Sequence, residues 1–371
     1  LLDLPLLLQP RLPSFGCDHA HPAQHVRFSE GLTKVNSSPH DVDICDGSTT
    51  VNNASVSQGA YAPRIVDLGN DVFEIDTQMG GYAGITAGYL IRGDRPALIE
   101  TGTALSAPTV IAALAELGIE ATDLATVVVT HIHLDHAGGV GDIASAYPGA
   151  TVVVHERGAR HLADPTRLVE SARRVFGDDM DTLFGELRPT DAQRLMVIGD
   201  EGSIDLGGGR QLRAFHAPGH ASHHLGLIDS HTGDLYTGDA AGVYIPETAD
   251  VRPSTPPPDF DLDLALRSMQ RFRDMQPQRL LFSHYGPVSD VDDVLERSAE
   301  ELKVWVDVIR RDRDSGQDLD HAVAMLRERT AESMPSLSDQ PDVAHKFEVL
   351  SSSQANASGI WHYLEKSDTA G

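Results

Sequence analysis

The sequence predicts a layered α/β protein with two sheets inside and helices outside. Three observations point there. Strand-like runs alternate with helix-like runs in two groups, and each group opens on hairpin-like strands. Thr126-Val127-Val128-Val129-Thr130 is a continuous β-branched run, the pattern of a strand buried on both faces. The 371 residues are 40% apolar, enough for a sizeable core. Periodicity alone leaves a doubly wound single sheet open as the alternative.

The elements follow in order. Residues 1–60 have mixed polarity, no periodicity and a Ser/Asn/Thr-rich tract at Ser48–Ser57, so they read as a disordered or loosely packed tail. From about Tyr61 the texture changes. Arg64–Leu68 and Asp71–Asp76 read as strands, as do Ala87–Ile91 and Pro96–Ile99 on either side of the turn Arg92-Gly93-Asp94-Arg95. Ala104–Leu117 carries Ala and Leu at helical spacing and stops at Gly118. Thr151–Val154 is a further strand. Residues 156–200 read as a helical insertion: Asp164-Pro165 starts a helix, and Leu168–Phe176 and Met180–Leu187 keep helical spacing. No strand is expected again until about Leu212. Strands then resume at Leu212–Phe215, Leu225–Asp229, Leu235–Thr237 and Leu280–Ser283. Pro253–Pro258 is a rigid loop, and Phe260–Met275 is helical. Val291, Leu295, Leu302, Trp305 and Ile309 mark a long amphipathic helix, and Phe347, Leu350, Ile360, Trp361 and Leu364 a last helix that docks. The resulting division is a tail (1–60), a catalytic domain (61–290, with the insertion at about 156–200) and a helical extension packed on the core (291–371).

Composition excludes several functions. The chain has 55 Asp+Glu against 29 Lys+Arg, a formal charge of −26, with only 5% aromatics. Such a surface repels phosphate backbones and anionic lipid, and few rings are available to stack bases. No apolar run reaches the ~20 residues of a membrane helix. The expected partner is a small molecule, not nucleic acid or membrane; a homodimer is compatible with the sequence. The charge favours a small neutral or weakly charged electrophile over a polyanion. Cys17 and Cys45 are the only cysteines. One disulfide is arithmetically allowed, but a reducing, cytoplasmic location is the default. The apolar Leu1–Leu8 lacks a basic start and contains Asp3 and Pro5, so it reads poorly as a signal peptide.

The informative segment is Thr130-His131-Ile132-His133-Leu134-Asp135-His136-Ala137-Gly138-Gly139. It follows the buried strand directly, where function collects in α/β sheets. Four potential metal ligands occur in six residues. Imidazole with carboxylate suits Zn²⁺, and also Fe²⁺ or Mn²⁺. An accidental H-x-H-x-D-H has a chance of about 10⁻⁵ at any one start. Three later segments repeat one pattern, a strand, a ligand-capable residue and a break: Ala217-Pro218-Gly219-His220, Tyr236-Thr237-Gly238-Asp239 and Phe282-Ser283-His284-Tyr285-Gly286-Pro287. Each alone is weak; in this order they are strong.

Over roughly Tyr61 to Pro287 the sequence resembles the metallo-β-lactamase superfamily. The resemblance implies the αββα four-layer sandwich with the site at one edge between the sheets. It implies that His131, His133 and His220 form a first metal site and Asp135, His136 and His284 a second. Asp239 would bridge both ions. All seven positions of the dinuclear pattern are filled, as in the glyoxalase II and lactonase branches. Two divalent ions are expected, zinc before iron or manganese. Their shared water would be acidified to a hydroxide that attacks an electrophilic carbon or phosphorus, with Asp135 orienting it or passing a proton. Asp239 argues against a true β-lactamase, because those enzymes place Cys there or lack the bridging acid.

The expected activity is therefore hydrolysis of a small ester, thioester or lactone. A mononuclear iron persulfide dioxygenase, using His131, His220 and Asp239, is the alternative within the superfamily; a non-catalytic metal-bound scaffold is the alternative outside catalysis. Glyoxalase II fits the ligands, but residues 288–371 hold 18 acids and 9 bases, and no glutathione-binding set can be matched there. Tyr244 and Tyr285 are candidates to bind a substrate carbonyl. His155, His161, His216, His223 and His224 are expected in structural or supporting roles, with His223 the first exception. The resemblance suggests that Glu100 supports the metal-binding loop. The insertion is expected to act as a lid.

Overall fold

Consecutive residues of β3 (Ala87–Ile91) face opposite cores. Tyr89 and Ile91 enter one apolar cluster and Leu90 another. Val127 and Val128 of β5 (Thr126–Val128) divide in the same way. Strands with apolar neighbours on both faces belong inside a multilayer fold. The computed structural model describes residues 61–350 and 352–370. The tail and both cysteines lie outside the described residues.

Two sheets make the centre. The first runs β1 (Ile65–Asp67), β2 (Val72–Asp76), β3, β4 (Ala97–Ile99), β5, β6 (Thr151–His155) and β7 (Leu195–Ile198) in sequential order. It is antiparallel up to β4 and parallel from there. The second has the order β15 (Gly286–Val288), β14 (Arg279–Phe282), β11 (Asp234–Gly238), β10 (Leu225–Asp229), β9 (Gln211–His216) and β8 (Glu201–Asp205). A separate hairpin joins β12 (Val243–Ile245) to β13 (Asp250–Arg252). Tyr89, Val128, Val153, Leu227, Tyr236 and Leu281 share the cluster between the sheets. Helices α1 (Ala107–Glu116), α2 (Leu134–Ala137) and α3 (Val140–Ala146) contribute to the cluster on the outer face of the first sheet.

The insertion supplies α4 (Glu156–Ala163), α5 (Thr166–Phe176) and α6 (Met180–Leu183). The outer face of the second sheet carries α7 (Leu262–Asp274), α8 (Val291–Asp314), α9 (Leu319–Ser333) and, past the short α10 (Pro335–Ser338) and α11 (Pro341–Leu350), α12 (Ser353–Ala370). The fold is thus α/β, with two sheets flanked by helices. The C-terminal helices share one apolar cluster with the second sheet, so the described residues hold together as one unit. Gly359 of α12 sits against the proline-rich loop, where an added Cβ would meet the Thr255 carbonyl at 1.8 Å. No helix among the described residues is long and apolar enough to cross a membrane.

Two expectations are corrected. Strands return at β7 and β8, before Leu212. β8 (Glu-Gly-Ser-Ile-Asp) buries only one of its five residues, so its pairing with β9 makes it a strand and its composition does not. The last helix is two helices, α11 and α12. Sequence reading also missed α9 and the β12–β13 hairpin.

Candidate metal centre

The sheets meet at one edge through the main chain of Thr130. Its N–H donates to Glu100 Oε1 at 3.2 Å, and its carbonyl accepts from the Leu225 N–H at 2.7 Å. After β5 the chain bends at Thr130 and His131 and reaches His133, whose backbone (φ −64, ψ 152) caps α2 and turns Asp135 and His136 back toward the edge. His220 follows β9, Asp239 follows β11 and His284 follows β14. The antiparallel pairs β9/β10 and β10/β11 and the parallel pair β11/β14 bring those three strand ends to the same edge. Gly238 makes one of these turns possible. It has φ 51, and a Cβ there would lie 2.4 Å from His224 Nε2. The turn lets the Asp239 N–H donate to His224 Nε2 at 3.0 Å.

All seven predicted donors converge. His131, His133 and His220 form one group whose ligand atoms lie within 4.8 Å of one another, and Asp135, His136 and His284 form another. Asp239 faces both. Its Oδ1 is 3.2 Å from His136 Nε2 and 3.5 Å from His284 Nε2, while its Oδ2 is 3.6 Å from His220 Nε2. His131 and His136 are fully buried; Asp135 is the most open of the acids at 19% exposed.

The hydrogen bonding around this cluster fits metal ions. His220 Nδ1–H donates to the Ser254 carbonyl at 3.1 Å, and His284 Nδ1–H to the Ile85 carbonyl at 2.8 Å. These bonds fix the tautomers and leave each Nε2 with a lone pair pointing inward. His133 Nδ1 lies 3.0 Å from both His131 Nε2 and His220 Nε2, and one N–H can serve only one of them. Asp239 Oδ1 is buried without a hydrogen-bond donor. Acceptors aimed at one another in a dry site call for cations between them. The electrostatics agree. Burial, reinforced by His220 and His223, pushes the His133 imidazole down to about 3, so it is neutral and ready to ligate. Burial opposes charge on His136 too, but Asp135, Asp239 and Glu100 outweigh it and raise its pKa well above the usual imidazole value. Burial would raise the Asp239 carboxyl, yet His284, His136 and His220 outweigh it and hold it low.

Supporting residues surround the donors. Glu100 is fully buried, with its Oε2 3.6 Å from His136 Nδ1. His224 holds the Asp239 backbone and stacks on His131, with ring centroids 4.9 Å apart. The Ser254 and Ile85 carbonyls had no sequence signal, because any residue supplies a carbonyl. His155 and His216 stack on each other at 4.4 Å, outside the donor cluster.

Tyr244 and Tyr285 require correction. Neither lines the cavity above the donors. The Tyr244 ring packs on Phe282 with centroids 5.8 Å apart, and Tyr285 packs against the cluster between the sheets. Position near a ligand in sequence did not translate into access: both rings are half-buried, Tyr244 against Phe282 and Tyr285 in the turn between β14 and β15.

The cavity itself is about 680 Å³, a size suited to a small molecule. His133, Asp135, His220, Asp239 and His284 reach it from one side; the insertion, Pro256–Pro258 and Ala355 of α12 wall the others. The sequence model of the Metallo-beta-lactamase superfamily matches residues 81–284, which contain every one of the seven donors. The chain belongs to the metallo-β-lactamase superfamily. It is 33% identical over 190 residues to the metallo-beta-lactamase fold-containing protein ST1585 of Sulfurisphaera tokodaii, spanning 49% of this chain and 70% of that one. The crystal structure of ST1585 superposes with a TM-score of 0.55 at 28% identity, covering 64% of this chain and 87% of that one. The metallo-beta-lactamase family protein TTHA1429 of Thermus thermophilus shares the fold, with a TM-score of 0.60 at 22% identity over 81% of this chain and 95% of that one. The probable metallo-hydrolase YqjP of Bacillus subtilis is 24% identical over 245 residues, spanning 60% of this chain and 74% of that one.

Proposed function

We propose that this metallo-β-lactamase superfamily member is a metal-dependent hydrolase of a small ester, thioester or lactone, akin to the glyoxalase II and lactonase branches. The observation that carries this reading is the pair of three-donor groups, joined by Asp239, beneath one cavity. Divalent ions held by His131, His133 and His220 and by Asp135, His136 and His284 would supply an acidified water and a Lewis acid for a carbonyl. The chain's own residues do the rest. Asp135 lines the cavity and is partly exposed; burial opposes its charge, but His136 and His284 outweigh it and hold the carboxyl well below the ordinary range, so it is an ionised acceptor that can orient the attacking water. His223 lines the same cavity, and burial holds its pKa at about 4, so it is a neutral imidazole within reach of substrate oxygen. The similarity over 60% of this chain to YqjP, which is named a probable metallo-hydrolase, supports the same class.

The test is metal analysis of protein purified anaerobically, followed by turnover of thioesters, acyl-homoserine lactones, aryl esters and phosphodiesters with zinc, manganese and iron. About two divalent ions per chain with hydrolysis is the expected result. One iron per chain with oxygen uptake would replace this reading by the dioxygenase. His131→Ala and Asp239→Ala should each abolish turnover and most metal binding while far-UV circular dichroism is kept. Full turnover in either variant overturns the assignment.

A further inference from the structure

The cavity wall opposite the donors has a charge unlike the rest of the molecule. Arg157 and Arg160 of α4 and Arg167 and Arg174 of α5 all line it. No carboxylate of the described residues lies within ion-pair distance of any of the four. Arg157 donates to the Ser222 carbonyl at 3.3 Å and Arg160 to His161 Nε2 at 3.1 Å, both neutral acceptors. Arg173, in contrast, pairs with Asp181 at 2.8 Å and does not line the cavity. Leaving aside the metal donors, the lining contains two carboxylates, Glu156 and Asp259, and Asp259 already accepts the N–H and hydroxyl of Ser222. Four cations against two anions is a local reversal in a chain of net charge −26. Unpaired arginines in an acidic protein are free to meet an anion and are held in a bidentate-capable form.

The same helix supplies an apolar track. Arg167 and Arg174 are two turns apart and therefore share a face of α5, beside Leu168, Ala172, Val175 and Phe176, which also line the cavity. α5 buries none of its residues completely, and Val175 is 53% exposed. Leu168, Ala172 and Phe176 rest partly on the cluster outside the first sheet and also line the cavity, so α5 is anchored there while presenting apolar surface, Val175 above all, to whatever enters.

We infer that the α4–α5 arginines form an oxyanion subsite, so that the substrate is an amphiphilic acid derivative with an apolar body lying along α5 and a carboxylate or phosphate at its far end. The inference rests on the reading of this cavity as the substrate site and names the substrate class.

The experiment separates it from hydrolysis. Decanoate, decyl phosphate and decanol are titrated calorimetrically into the metal-loaded protein, into the Arg167→Glu/Arg174→Glu variant and into Arg173→Glu as the control. At least one anion should bind wild type about tenfold or more tightly than decanol. Whichever anion is preferred identifies the oxyanion. Arg167→Glu/Arg174→Glu should remove that preference, and Arg173→Glu should keep it. All these side chains are exposed, so thermal midpoints should match; if one falls, Arg167→Gln/Arg174→Gln takes its place. Equal binding of decanol and both anions overturns the inference, as does a preference that survives the double variant or is lost equally in Arg173→Glu. Arginine-dependent anion binding in a protein that hydrolyses no ester would leave the subsite standing and remove the hydrolase.

Discussion

Glu100 holds φ 64 with its carboxylate out of solvent, a backbone region that non-glycine residues occupy only when their surroundings dictate it. Here the dictating contacts are the Thr130 N–H and the imidazole of His136. Glu100→Gln keeps an acceptor for Thr130 but removes the charge that faces His136 Nδ1. Metal affinity should fall about 10- to 100-fold, read by competition with a chelating dye, with the thermal midpoint of the metal-free protein changing far less. His155 offers a test of pH dependence away from the donors. Burial, then His216 and Arg157, lower its pKa to about 4, with Asp200 opposing them. The folded protein therefore keeps His155 neutral while the unfolded chain protonates it near the ordinary value. Its stabilising contribution is complete above pH about 6.5 and is lost as the pH falls toward 4. Urea midpoints at pH 7 and pH 5 should differ less in His155→Gln than in wild type. Among the donors themselves, residue type and spacing made all seven legible as candidates, whereas nearness in sequence says nothing about which neighbours the rings of Tyr244 and Tyr285 pack against.

The insertion behaves as two elements and not as one flap. α5 lies over the cavity with no completely buried residue, but Met180, Phe184 and Leu187 are buried in the cluster outside the first sheet, at 0%, 4% and 3% exposed. Each large buried side chain removed costs about 2–5 kcal/mol, against a total stability of about 5–15. Deleting residues 164–190 should therefore unfold the protein. Replacing 166–177 by a short glycine linker removes the partly buried Leu168, Val169, Ala172 and Phe176 from that cluster, so it should lower the melting midpoint but keep a cooperative transition and the metal content while changing the substrate range. Loss of metal in the shorter deletion would show that α5 is part of the metal site's support. Helical periodicity revealed α5, since its apolar residues recur at 3.6. It could not reveal β7 and β8, whose short runs acquire strand geometry only by pairing with β6 and β9.

Across the whole molecule, the charge of −26 repels anions at long range while the cavity wall attracts them at short range. Salt reveals which dominates, because exposed charges are screened beyond about 8 Å at physiological ionic strength. Turnover of a neutral aryl ester should change little between 0.02 and 0.5 M salt, values chosen to span about 20 to 4 Å of screening. KM for an aryl ester carrying a terminal carboxylate should rise with salt if the arginines govern capture. A KM that falls instead would assign control to the acidic body. The arginines were in the sequence all along, five of them between Glu156 and Phe176, but their number did not show that four line the cavity and one pairs with Asp181.

The sequence by itself pointed to an α/β class and to the residues able to serve as metal donors. Buried strands need continuous apolar runs, and a metal site needs particular side-chain chemistries, both of which are properties of residue type and spacing. Only the tertiary structure decided which carbonyls fix the imidazole tautomers, which tyrosines reach the cavity and where the arginines face. Those outcomes depend on strand register and on the packing of elements far apart in the chain, and a single residue's identity does not encode its partner.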